Sequence, residues 1–170
     1  MKQKRLVLLL ILLCWMVLIF WFSSQNSTES ASLSSGLLKK LLSLRPDWDS
    51  LTLAQQRSKI RALHTLFRKL GHFSEYTVLG TISALLGRIG FPTDDIRQKR
   101  VRYYFVPAGF ALLYAVGDEI HQRFVPGRSC EFRDMMIDFS GACLGVLLTA
   151  AAAWLLTKRR RKRRSAQSSA

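Results

Sequence analysis

The chain has 170 residues, and 26 Lys+Arg against 11 Asp+Glu give a net charge of +15. That is enough for one compact domain. So basic a soluble chain points to nucleic acid, but no helix-turn-helix or zinc signature accompanies the charge, and nucleic acid is not an expected partner. The three cysteines (Cys14, Cys130, Cys143) form no disulfide framework, since two lie inside apolar runs.

The mean hydropathy of +0.11 hides a sharp segregation of long apolar runs from dense charge. Lys2, Lys4 and Arg5 precede the first run, Leu6 to Phe22. It is longer than a signal-peptide core and ends on the aromatic pair Trp21-Phe22 rather than small residues, so it reads as an uncleaved membrane helix. Residues 1–22 form this first unit.

Residues 23–71 are polar and mixed. Leu37, Leu38, Leu41, Leu42 and Leu44 recur near helical spacing beside Lys39 and Lys40, which predicts a short amphipathic helix on the membrane surface. After Pro46-Asp47-Trp48-Asp49, Ile60, Leu63, His64, Phe67 and Leu70 mark a second amphipathic stretch. This extracytoplasmic insert is too small for a core of its own.

Residues 72–157 hold three further spans. The second runs from about His72 to Ile89 and stops before Pro92-Thr93-Asp94-Asp95. The third runs from about Tyr103 to Gly117 or slightly beyond, and the fourth from Met135 to Leu156. Residues 158–170 open on Lys158-Arg159-Arg160-Arg161-Lys162-Arg163-Arg164, a basic cytoplasmic tail expected to be disordered. The fold expected is an all-α membrane protein, a bundle of four transmembrane helices with short amphipathic helices between the first and second. The densest basic clusters, Arg97 to Arg102 and the tail, place both termini in the cytoplasm.

That topology puts Asp118-Glu119-Ile120-His121-Gln122-Arg123-Phe124-Val125-Pro126-Gly127-Arg128 on the outer face, directly after an apolar run. Ionisable groups at the end of a membrane span mark a functional site by default. Helical spacing supplies partners: His72, Glu75 and Tyr76 share one side of the second span, and Asp134 and Asp138 one side of the fourth. Small residues continue each stripe inward, Gly80, Ser83 and Gly87 on the second span and Gly141 and Gly145 on the fourth, where GxxxG also offers a face to a partner helix.

The polar cup so formed comprises His72, Glu75, Tyr76, Asp118, Glu119, His121, Gln122, Arg128, Asp134 and Asp138. Arg128 is expected to fork onto a carboxylate. One reading is that these groups only neutralise one another and staple helix ends. Another is a hydrolase or transferase using His72, Glu75, Asp118 and His121. Their spacing is not that of a metalloprotease, and no metal or other cofactor is expected. Binding suits the residues better than catalysis, because Arg123, Arg128 and Arg133 beside acceptor carboxylates suit a phosphate, sugar or peptide headgroup at a membrane surface.

Several segments in order resemble the VanZ-like family of small bacterial membrane proteins. They are Phe22-Ser23-Ser24-Gln25, Arg68 through Tyr76, Tyr114 through Gln122 with Phe124-Val125-Pro126-Gly127-Arg128, and Asp134 through Asp138 to Gly141 and Gly145. The resemblance spans about residues 6 to 156. It implies a multi-pass protein of the bacterial cell membrane, whose family namesake is associated with resistance to teicoplanin-type glycopeptide antibiotics. By position it carries the family's polar residues onto the ten cup residues above. The partners it implies are membrane lipids and a cell-wall precursor or lipoglycopeptide.

Overall fold

The computed structural model describes residues 2–168, and every regular element among them is helical. Helix α1 covers Lys2–Ser23, and α2 covers Ser27–Leu42. Asn26 starts α2 with a capping box: its side chain accepts the Glu29 N–H at 2.9 Å and the Glu29 carboxylate accepts the Asn26 N–H at 3.3 Å. Thr52 and Gln55 cap α3 (Leu53–Leu85) in the same way. A π-helical turn, Leu86–Gly90, follows. The short α4 (Ile96–Arg100), capped by Asp95, leads through a second π-helical turn, Val101–Phe105, into α5 (Val106–Gln122). The chain ends on α6 (Phe132–Ser168).

Two expected boundaries fall elsewhere. Residues 71 and 72 lie inside α3, which joins the second amphipathic stretch and the second expected span into 33 continuous residues. Gly71 alone does not break a helix whose neighbours keep the helical period. The basic tail is not the disordered segment expected but a continuation of α6 to Ser168. Extending a formed helix avoids the nucleation cost, and Lys, Arg and Ala are strong helix formers.

Helices α3 and α6 pack most closely, and glycine makes that possible. A Cβ on Gly141 would overlap the Phe73 carbonyl, one on Gly145 the Thr77 carbonyl, and one on Gly80 the Ala142 carbonyl. The GxxxG face offered to a partner is therefore occupied by α3 of the same chain. Leu12, Ile19, Tyr76, Leu79, Ile82, Ala111, Ala115 and Ala142 form the core, where alanine lets backbones approach. Two long-range hydrogen bonds fix α1 against it: Trp15 Nε1 donates to the Glu75 carbonyl at 2.9 Å, and Tyr114 Oη to the Met16 carbonyl at 2.7 Å.

The outer faces of the bundle are apolar. Leu6, Leu10, Val17, Leu113, Leu147 and Trp154 are all exposed, more apolar surface than a soluble monomer usually presents. Lys2–Ser23 and Phe132–Arg160 are long and apolar enough to cross a membrane.

Candidate functional site

Three helix ends, the middle of α3 and one loop meet at the end of the bundle where α1 stops. Helix α1 supplies Ser23 and, just beyond it, Ser24 and Gln25. Helix α3 supplies Arg68 to Tyr76, α5 supplies Asp118 to Gln122, and α6 begins with Asp134 and Asp138. The loop from α5 to α6 folds back over them. Gly127 has φ +74°, a left-handed conformation natural to glycine, and a Cβ there would strike the Ser27 hydroxyl. That turn lets the Pro126 carbonyl accept the Ser27 N–H at 3.3 Å, docking the loop on the start of α2 and delivering Arg128.

The inner layer is buried and polar. Gln122 Nε2 donates to Ser23 Oγ at 3.0 Å and to Asp118 Oδ2 at 3.3 Å. Beside them stand Tyr76, 0% exposed, and Asp138, 1% exposed. The Tyr76 hydroxyl and both Asp138 carboxylate oxygens have no hydrogen-bond partner. Buried polar groups are normally paired.

Above it opens a cavity of about 310 Å³. Its polar lining residues include Gln25, Arg68, His72, Glu75 and Arg128. Its apolar ones are Phe22, Leu33, Leu37 and Phe67, and α2 contributes Ser30 and Ser34 beside Leu33 and Leu37. Arg128 does not fork onto a carboxylate, as its position suggested. Its Nε donates to the Gln25 carbonyl at 3.3 Å and its Nη1 to Gln122 Oε1 at 3.4 Å. Burial, followed by the like charge of Arg68, lowers the Arg128 guanidinium from its ordinary value.

Of the ten expected residues, His72, Glu75 and Arg128 line the cavity. Tyr76, Asp118, Gln122 and Asp138 are buried, Asp118 and Gln122 joined by their hydrogen bond. The other three are used structurally. Glu119 accepts the Glu131 N–H at 2.9 Å, and burial raises its carboxyl above the ordinary value. Asp134 pairs with Lys69 Nζ at 2.7 Å. His121 Nε2 lies 3.1 Å from Ser24 Oγ with its ring against Phe20, and it does not line the cavity. His72, Glu75, Asp118 and His121 therefore do not line one cavity, and no group of three or more His, Cys, Asp or Glu among the described residues could hold a metal ion. Arg123 and Arg133 are exposed, outside the cavity.

Sequence reasoning missed Ser23, Gln25, Arg68, Leu33 and Leu37. The first two stand in the Phe22-Ser23-Ser24-Gln25 segment, whose polar residues directly after an apolar run were a usable signal. Arg68 stood in plain view at the entry to the second span, grouped with the charges of an amphipathic face. Leu37 belongs to the expected amphipathic face and nothing local marks Leu33; the docking of α2 on α3 decides the place of both.

Fold and site together define an all-helical protein with an apolar exterior, a tight glycine-lined helix pair and a polar cavity at one end. The VanZ/LLP1 family model matches residues 8–155, and the chain belongs to that family. No curated protein and no solved structure matches it.

Proposed function

We propose that this is a bacterial cell-membrane protein with four spans and both termini in the cytoplasm, and that its outer cavity binds an amphiphile. The candidates are a cell-wall lipid precursor, a phospholipid headgroup or a lipoglycopeptide. One observation carries the reading: the lining of the cavity combines Arg68, His72, Glu75 and Arg128 with Phe22, Leu33, Leu37 and Phe67. A molecule with a charged head and an apolar tail suits such a mixed lining. The topology rests on the basic clusters at the opposite end from the cavity, and on the two helices long and apolar enough to cross. Holding such a molecule at the outer surface would change how glycopeptides reach their target.

Native mass spectrometry of the full chain with members of the three amphiphile classes tests the binding. A one-to-one adduct is expected, weakened in Leu37→Asp and Phe67→Ala variants that keep their thermal midpoint. If no class binds, or the adducts ignore both substitutions, the reading fails. Glycopeptide tolerance of cells carrying Arg128→Ala reports on the physiological half, and full protection by a normally inserted variant counts against it.

A second reading, a membrane-embedded hydrolase or transferase, is favoured by the unpartnered Tyr76 hydroxyl and Asp138 carboxylate. An uncompensated acid inside a membrane helix is expensive to keep. Turnover of a lipid-linked substrate that Asp138→Asn abolishes would establish it, and binding without turnover would leave the first reading in place.

A further inference from the structure

The outer cavity is lined by two guanidinium groups and a single carboxylate. Arg68 and Arg128 line it with His72, and Glu75 is the one acid. Neither arginine joins an ion pair among the described residues. Arg128 touches only neutral acceptors, at 3.3 Å and 3.4 Å, beyond the range of a strong N–H···O bond.

Asp118, Glu119 and Asp134 favour the Arg128 charge from a distance but do not contact it, because each is hydrogen-bonded elsewhere. Lys69 takes Asp134 at 2.7 Å, the Glu131 amide takes Glu119 at 2.9 Å, and Gln122 takes Asp118 at 3.3 Å. Arg68 meanwhile acts on Arg128 as a repelling charge, second only to burial in lowering its pKa. Two half-buried guanidinium groups share the cavity with one carboxylate and neither is in an ion pair among the described residues, so both have donors free for an anion. The residue type sharpens the chemistry: arginine presents a planar fork of donors that matches phosphate oxygens two at a time. A volume of about 310 Å³ stands at the low end of the roughly 300–1,000 Å³ of small-molecule sites. It suits a headgroup rather than a whole lipid.

We infer that Arg68 and Arg128 form a phosphate-binding site, and that the amphiphile is a lipid phosphate ester whose first chain carbons lie along Leu33, Leu37 and Phe67. This rests on the amphiphile reading and narrows it. A neutral sugar or peptide amide between the arginines would give their forks no charged bidentate partner.

The test uses the full chain in an uncharged detergent with three probes: phosphatidic acid, diacylglycerol of the same acyl chains, and inorganic phosphate. Phosphatidic acid is expected to bind at least tenfold more tightly than diacylglycerol and to weaken with added salt. Arg68→Gln and Arg128→Gln should each erase about tenfold of that preference, while Arg123→Gln, outside the cavity, leaves it unchanged. Arg68→Lys and Arg128→Lys keep the charge without the fork, so they serve if the glutamine variants do not fold, and should lose part of the preference.

Equal binding of phosphatidic acid and diacylglycerol would overturn the phosphate site and leave the amphiphile reading standing. Binding of neither lipid would remove both. Arginine-dependent binding of inorganic phosphate alone, with no lipid bound, would overturn the lipid source.

Discussion

Gln122 Nε2 donates to Ser23 Oγ at 3.0 Å, tying the ends of α5 and α1 together beneath the cavity floor. Both side chains are buried, so each removes the other's need for water. Ser23→Ala strands a buried amide donor and should cost roughly 1–3 kcal/mol. Gln122→Ala should cost more, since Gln122 also contacts Asp118 and Arg128. The double variant should cost less than the two single changes added together, because neither partner is then left unmatched. Denaturation in mild detergent measures all three, and strictly additive losses would show that the two residues are not coupled.

The glycines divide into two groups with opposite expectations. Gly141→Ala and Gly145→Ala push a methyl into the backbone of α3 and should lose roughly 1–3 kcal/mol by overpacking. Gly109→Ala and Gly117→Ala meet nothing within 4 Å. Those two should be neutral or gain up to about 1 kcal/mol from helix propensity. Thermal midpoints decide it, and an equal loss at Gly109 and Gly145 would refute the packing account.

Topology is open to chemical labelling. Cys130 is exposed in the loop between α5 and α6. With Cys14 and Cys143 replaced by alanine, a membrane-impermeant maleimide should label Cys130 on intact cells. In a background that also lacks Cys130, cysteine placed by Gln98→Cys near the basic end should react only after lysis. The reverse pattern would invert the orientation.

Glu119 predicts a pH effect. Burial raises its carboxyl above the ordinary value, opposed by the hydrogen bond from the Glu131 amide. The folded chain therefore holds this proton at pH values where the unfolded chain has released it. The stability from that proton is complete below the ordinary carboxyl value, about 4.3, and drains as pH rises through the raised one. Glu119→Gln keeps an oxygen for the Glu131 amide but cannot ionise. Its stability should improve relative to the parent as pH moves from acid toward neutral, and parallel stability curves would contradict the assignment.

Much of the site was legible from one-dimensional spacing. His72, Glu75 and Tyr76 share a side of α3 because residues three and four apart must do so, and an apolar run ending in Asp118-Glu119 announces a polar helix end wherever it folds. Arg128 lines the cavity, but not with the carboxylate partner its position suggested. Its position follows from the turn at Gly127, whereas its contacts depend on Lys69 and Glu131 having already engaged the acids nearby. His121 shows the same limit. It lies one residue from Gln122 in sequence, yet a step of about 100° around a helix of 3.6 residues per turn sends it to Ser24 and Phe20, away from the buried layer.

Alone, the sequence determined the helical class, the apolar runs and the family, since each depends on residues close along the chain or on their order. Tertiary structure decided that the GxxxG face is filled by α3, that α3 runs unbroken past Gly71, and that α2 closes the cavity with Leu33 and Leu37. It alone also set Arg68 beside Arg128. These depend on which surfaces meet across dozens of residues, and a helical period states which face a side chain occupies without saying what will cover it.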